Sequence, residues 1–325
     1  LHADLVVLAI GVTPDTRLAK DAGLKLGIKG SILVSDRMET SVPDIYAVGD
    51  AVQVRHSVSG QEALISLAGP ANRQGRIAAD NLCGKDSLYP GSQGSSIIKV
   101  FDMTAAVTGI NETNAQKAGL DVDKVALSPM NHAGYYPGGK LMTMKVVFEK
   151  ETLRLLGAQI VGYDGVDKRI DVLATAIHAG MKATDLKDLD LAYAPPYSSA
   201  KDPVNMAGFM IENIAGGLLR QFHLEDLETL SRRVDVTLLD VRTRKEYERG
   251  HVDGFVNIPV DELRERLQEI RPDQPVYVMC QSGLRSYLAV RILDGCGYDA
   301  WNFSGGYRFY DAVENDRCLI ESATA

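Results

Sequence analysis

Cys280-Gln281-Ser282-Gly283-Leu284-Arg285-Ser286 stands where an apolar run ends and a helical pattern begins, and it is the segment best built for covalent chemistry. A tight loop opening a helix points backbone N–H groups and the positive end of the helix dipole inward. A thiol in that place, with an arginine nearby, is favoured as the thiolate and supplies a nucleophile at neutral pH. The bland alternative is a buried, inert cysteine at a strand end. Against it, Cys and Arg separated by four residues at a strand-to-helix turn meet several requirements of one anion-binding site together. Gly49-Asp50 is a second candidate, closing the run Tyr46-Ala47-Val48. A carboxylate at a strand end accepts hydrogen bonds from sugar-like hydroxyls, and glycine lets a ligand approach the backbone. Alone, the dipeptide reads first as a turn. Tyr193 and Tyr197 offer phenolic hydroxyls or interface packing. His132, in the Gly- and Tyr-rich stretch 131–139, meets a phosphate or caps a loop.

These residues need elements to hold them. Short β-rich runs at 5–10, 32–35 and 45–48 alternate with Gly and Pro, with a helical turn at 18–22. The run 5–10 reads as a buried strand entered in mid-fold, and residues 62–82 as one long helix kinked at Pro70. Strands are predicted at 97–101, 105–109, 124–128, 141–148 and 154–162. Helices follow Asn111 and cover 169–179 and 204–214, which gives an α+β unit. From 218 the pattern alternates strictly: a polar helix at 223–230, strands at 236–240, 255–258, 275–279 and 300–303, and helices at 244–249, 262–270 and 285–296 before a last helix. That alternation implies a small parallel α/β sheet covered on both faces. The polar stretch 89–96 and Gly216-Gly217 punctuate the chain, which divides into units 1–90, 91–217 and 218–325.

Composition bounds the function classes. The chain has 325 residues, 45% apolar and 24% charged, with a net charge of −8. The charge argues against a nucleic-acid-coating protein, and no apolar run approaches the ~18–20 residues of a membrane span. Cys83, Cys280, Cys296 and Cys318 form neither a CxxC pair nor a metal-ligand cluster with His. No disulfide framework or metal site is expected, and the default compartment is the reducing cytoplasm. With Leu1 in first place, the chain reads as the back part of a longer protein.

Residues 218–325 resemble a rhodanese domain. The matching pieces are Leu239-Asp240-Val241-Arg242, Glu246-Tyr247, Gly250-His251-Val252, Asn257-Ile258-Pro259, the Cys280 loop, and Asn302-Phe303-Ser304-Gly305-Gly306-Tyr307. The resemblance implies that Cys280 carries a persulfide within the loop Gln281, Ser282, Gly283, Leu284 and Ser286. It further implies that Arg285 stabilises the sulfur species or its anionic donor and that Asp240 and Arg242 brace the site. Related phosphatase-type loops are one residue longer, so this tighter cradle suits sulfur better than tetrahedral phosphate. Gln281 stands where family loops often carry Arg or Lys, which puts a small anionic donor in doubt.

The segments Ala9-Ile10-Gly11-Val12-Thr13-Pro14, 40–50 and 67–76 together resemble the second half of a flavin-dependent pyridine nucleotide-disulfide reductase, the end of a Rossmann-like region. That resemblance implies that Gly49 and Asp50 hold the ribityl chain of FAD and that the helix beginning near Leu67 and Ala68 approaches the flavin. Residues 91–217, with Asp190 to Asn205, resemble the dimerisation domain of coenzyme A-disulfide reductases and NADH oxidases. The implied partners are a second copy of the chain and small sulfur substrates. Tyr193 or Tyr197 is implied to reach the partner's redox centre, and His132 to touch coenzyme A. No Gly-x-Gly-x-x-Gly fingerprint and no N-terminal redox cysteine occur here; in the family both lie upstream. The expected activity is NAD(P)H-dependent, FAD-dependent reduction of coenzyme A disulfide, persulfide or polysulfide, with sulfane sulfur carried on Cys280. The alternatives are an NADH oxidase with an attached rhodanese, or a rhodanese that only docks.

Overall fold

The computed structural model describes residues 3–324, with side chains described to Glu314 and at Asp316. Cys318 lies outside the described side chains; Cys83, Cys280 and Cys296 are free thiols. Among the described residues no helix is long and apolar enough to cross a membrane. Three sheets organise the chain in sequence order.

The first is small. Ile32–Leu33 pairs parallel with Val52–Arg55, which pairs antiparallel with Glu62–Ala63. Three expectations change here. Residues 5–10 form no strand, and Leu5, Leu8 and Ile10 are exposed. An apolar run becomes a buried strand only with a ladder beside it, and none of the described residues supplies one. Residues 45–48 are extended with a single bridge, Glu39 to Tyr46, so the paired strand follows Gly49-Asp50 instead of leading to it. The helix is Ala68–Leu82, and Pro70 sits in its first turn. A missing N–H costs nothing there, so no kink forms.

The middle sheet is antiparallel throughout, in the order Ser96–Val100, Met103–Gly109, Leu155–Gly162, Met142–Glu149, Val122–Leu127. The helix Val166–His178 buries Val166, Ile170, Leu173 and Ile177, a stripe at helical spacing, in the core beneath this sheet. Pro203–Ala215 starts from a capping box in which Asp202 accepts from the Val204 N–H, with Pro203 in the first helical position. Its Gly208 packs so closely that a Cβ would lie 2.3 Å from the Lys187 nitrogen.

The last sheet is parallel throughout, in the order Val256–Asn257, Thr237–Asp240, Val276–Met279, Ala300–Phe303, Gln221–Phe222. One core, with Leu239, Val278, Ala289 and Leu293, includes residues of the helix Leu284–Gly295. A second, with Phe222, Leu227, Phe255 and Phe303, includes residues of the short helix Leu227–Ser231. Two expectations fail. Residues 262–270 make two 3-10 turns, Leu263–Glu265 and Leu267–Glu269. The polar helix at 223–230 is a 3-10 turn Leu224–Asp226 running into Leu227–Ser231. The edge strand Gln221–Phe222 carries too short an apolar pattern to be read from sequence.

The middle and last sheets meet. Gln221 donates from Nε2 to the Lys124 carbonyl oxygen at 2.8 Å and to Asp123 at 3.1 Å. Lys124, buried, ion-pairs with both Glu112 and Glu225.

Candidate active site

Cys280 follows the strand Val276–Met279 and is 1% exposed. Its Sγ accepts the Gly283 N–H at 3.1 Å, and Ser286 Oγ lies 3.2 Å away. Ser286 Oγ is also 3.1 Å from the Gly283 carbonyl oxygen, so its single proton serves one acceptor at a time. Gly283 holds φ +102°, a conformation that favours glycine, and from there the helix Leu284–Gly295 begins. The sulfur thus sits at the positive end of a helix with a backbone amide aimed at it.

The loop is gripped from behind. Tyr307 N–H donates to the Cys280 carbonyl oxygen at 2.8 Å, and Arg308 N–H to that of Gln281 at 3.1 Å. Gly306 lies so close that a Cβ would approach Cys280 O and Ser282 N to 2.7 Å. Asp240 and Arg242 are fully buried and joined through both carboxylate oxygens, at 2.7–3.1 Å. Arg242 also donates to the Gly250 carbonyl oxygen at 2.8 Å, lies 3.8 Å over the Tyr307 ring, and reaches Gln281 Oε1 at 3.4 Å. Its guanidinium therefore braces the loop from below.

Arg285 turns its guanidinium to a carboxylate of the same chain. Its Nη1 and Nη2 donate to Glu246 Oε2 and Oε1 at 2.7 and 2.8 Å, a two-pronged pair, and the bonds to sulfur come from Gly283 and Ser286. The pair holds the Glu246 carboxyl down to about 2, and Glu246 in turn holds the Arg285 guanidinium above its ordinary value. Glu246 stood in the sequence as a matching piece of the rhodanese resemblance without a site role, because the capping box Thr243-Arg244-Lys245-Glu246 by itself accounts for the residue.

The other candidates lie in two further places. Asp50 is exposed in the turn Gly49–Ala51; Gly49 has φ +85° with open space where a Cβ would stand. The Gly49 N–H donates at 2.7 Å to Gln74 Oε1, buried in the helix Ala68–Leu82. Leu67 caps that helix without a side-chain bond, and Ala68 is exposed behind it. A free carboxylate, an open glycine and an uncapped helix start together fit a hydroxyl-bearing, anionic cofactor such as FAD.

Tyr193 and Tyr197, both exposed, line a cavity of about 490 Å³ with Asp164 and Lys168. Tyr193 shares a 2.8 Å hydroxyl–hydroxyl bond with Tyr135. Beneath them the buried Arg169 ties Asp202 at 2.9 Å to the Asn131 carbonyl oxygen at 2.8 Å, locking two loops; its place in an apolar helix hid this role. His132 is buried, with Nδ1 3.0 Å from the Ala133 carbonyl oxygen and its ring edge-on to Tyr136. That makes it a brace of its loop, not an exposed phosphate contact. No group of three or more His, Cys, Asp or Glu side chains among the described residues is placed to hold a metal ion.

Comparison with known proteins covers all three regions. The pyridine nucleotide-disulphide oxidoreductase family matches residues 1–75, its dimerisation domain residues 95–203, and the rhodanese-like domain residues 223–312. An NAD(P)H sulfur oxidoreductase (CoA-dependent) of Pyrococcus furiosus is 41% identical over 202 residues, 62% of this chain and 46% of that one. The structure of reduced CoADR-RHD of Bacillus anthracis superposes with a TM-score of 0.93 at 46% identity, over 98% of this chain and 57% of that one. An NAD-dependent persulfide reductase from A. fulgidus gives 0.85 at 43% identity, over 94% and 55%. The chain spans about half the length of the curated relatives it matches.

Proposed function

Since the chain belongs to the pyridine nucleotide-disulphide oxidoreductases and carries a rhodanese-like domain, we propose that it works in NAD(P)H-dependent reduction of coenzyme A disulfide, persulfide or polysulfide, with Cys280 carrying the sulfur. The observation that bears most weight is the Cys280 Sγ, which meets one backbone N–H and one hydroxyl at the start of a helix. In the transfer step the Cys280 thiolate attacks the outer sulfur of a donor R–S–S⁻. A new Sγ–S bond forms, the donor S–S bond breaks, and the electron pair leaves with R–S⁻. Gly283 N–H and the Ser286 hydroxyl stabilise the anionic sulfur before and after transfer.

FAD, where bound, supplies hydride acceptance from NAD(P)H. Asp50 and the start of the helix Ala68–Leu82 are the groups that hold it, and Gln74 positions Gly49. The functional units are taken as 1–90, 91–217 and 218–325, and the compartment as the reducing cytoplasm, which suits the free thiols among the described residues. A homodimer forms through the middle sheet, whose edge exposes Ile97, Ile98, Val100 and Phe101. Tyr193 and Tyr197 then face the partner's redox centre. The test is intact mass after incubation with a sulfane donor: added sulfur that Cys280→Ser abolishes is expected, and equal loading of the Ser variant overturns the reading.

A further inference from the structure

We propose that Glu246 sets the donor specificity of the Cys280 loop: by occupying both prongs of Arg285 it turns the loop away from small dianions such as thiosulfate and towards persulfides. The proposal rests on the reading that Cys280 accepts sulfane sulfur.

A guanidinium on the first turn of a helix that begins beside a thiol is the group expected to clamp an oxyanion, because its planar fork matches paired oxygens. Here that fork is spent on a carboxylate of the same chain. The carboxylate is itself fixed: Oε2 also accepts the Thr243 N–H at 2.9 Å and the Thr243 hydroxyl at 2.8 Å. Four donors converge on it, and the paired side chains are only 30% and 29% exposed. A dianion seeking Arg285 must displace this carboxylate and approach a like charge.

The second guanidinium of the site offers no substitute. Arg242 is matched by the buried Asp240, and the residue after Cys280 is Gln281 where a cation would have added charge. Arg242 and Arg285 are thus each matched by one carboxylate, which leaves the loop amide, the hydroxyl and the helix end facing the sulfur. Those suffice for the single charge of a persulfide, and they are a poor match for thiosulfate. With either donor the bookkeeping of atoms is the same: the outer sulfur passes to Sγ and the electron pair leaves with the thiolate or with sulfite.

The test is the thiosulfate-to-glutathione-persulfide ratio of kcat/KM for the full chain and its Glu246→Gln variant. Glutamine serves a capping box as glutamate does, so the helix Arg244–Arg249 is retained. The ratio is expected to rise by at least about tenfold, through a lower thiosulfate KM, and to fall back as ionic strength rises. Glu246→Gln combined with Arg285→Ala is expected to lose the gain, since the freed guanidinium is gone. An unchanged or lower ratio in Glu246→Gln overturns the proposal, as does a gain that survives removal of Arg285. Cys280→Ser separates the two readings. Transfer that survives it overturns the role of Cys280, whereas transfer lost there with an unmoved Glu246→Gln ratio overturns the role of Glu246 alone.

Discussion

The amide N–H of Ala126 donates a 3.0 Å hydrogen bond to Ser304 Oγ, joining residues 178 positions apart in sequence. Ala126 lies on the edge strand of the antiparallel sheet, and Ser304 follows the strand Ala300–Phe303 of the parallel one. Two residues on, Gly306 presses against the Cys280 loop, and Tyr307 holds its carbonyl. The segment that backs the sulfur site is therefore also the one docked on the neighbouring domain.

Ser304→Ala leaves the Ala126 amide buried without this acceptor, a loss of ~1–3 kcal/mol. Scanning calorimetry should show a lowered transition, with easier proteolysis between residues 216 and 222, where the chain passes from one sheet to the other. An unchanged transition would mean that the ion pairs of Lys124 and the hydrogen bonds of Gln221 hold the two domains without it.

Arg285→Ala removes the cation that neutralises Glu246 and leaves its carboxylate facing the approaching donor. Sulfur loading of Cys280 should slow by well over tenfold, about 1.4 kcal/mol or more, with the fold retained. Rates near wild type would show that Gly283 N–H and Ser286 are enough.

Glu246 also gives the site a pH signature. Its carboxyl is ordinarily near 4.5 and is held down to about 2, chiefly by Arg285. A depressed carboxylate contributes stability that is fully present above its unfolded value and is lost as pH falls through the folded one. The contribution should therefore fade between about pH 4.5 and 2. Urea midpoints at pH 5 and pH 3 should differ less in Glu246→Gln than in wild type, because the other carboxylates are common to both. Equal differences in the two proteins would show that the pair adds nothing to the folded state.

What the sequence showed and what it hid have physical causes. The inner strands of the middle sheet and the helix Val166–His178 were legible because they bury apolar residues in one core within the described chain, whereas the edge strand Ser96–Val100 carries its apolar residues exposed. Residues 5–10 misled because an apolar run states a preference for burial without naming its neighbour. Pro70 misled because a proline has opposite meanings in the first turn of a helix and in its interior. Cys280, Asp240 and Arg242 came together as their order implied, each at or just beyond the end of a parallel strand, and Ser286 reaches the sulfur from the first turn of the helix Leu284–Gly295. Glu246, Arg169 and Tyr307 were missed as site residues. Their roles arise from side chains meeting between elements, and each already had a sufficient local explanation in a cap, an apolar helix or a helix start.

Asp50 is the residue on which the flavin reading can be tested in binding alone. It is exposed in the turn Gly49–Ala51, while the adjacent Gly49 is tied to Gln74 of the helix that begins at Ala68. A carboxylate held beside a helix start, with open space at its glycine neighbour, is placed to accept bonds from polyol hydroxyls, whereas a carboxylate serving only the turn would cap a backbone amide. Hydrogen bonds to a charged acceptor are commonly worth ~1.5–3 kcal/mol each, so Asp50→Ala should lower flavin retention by one to two orders of magnitude. Asp50→Asn, which keeps an oxygen acceptor and loses the charge, should fall between. The measurement is the flavin-to-protein absorbance ratio of the whole protein after gel filtration at high dilution. Full occupancy and an unchanged dissociation constant in Asp50→Ala would reduce Gly49-Asp50 to a turn and move the flavin contact to the start of the helix Ala68–Leu82.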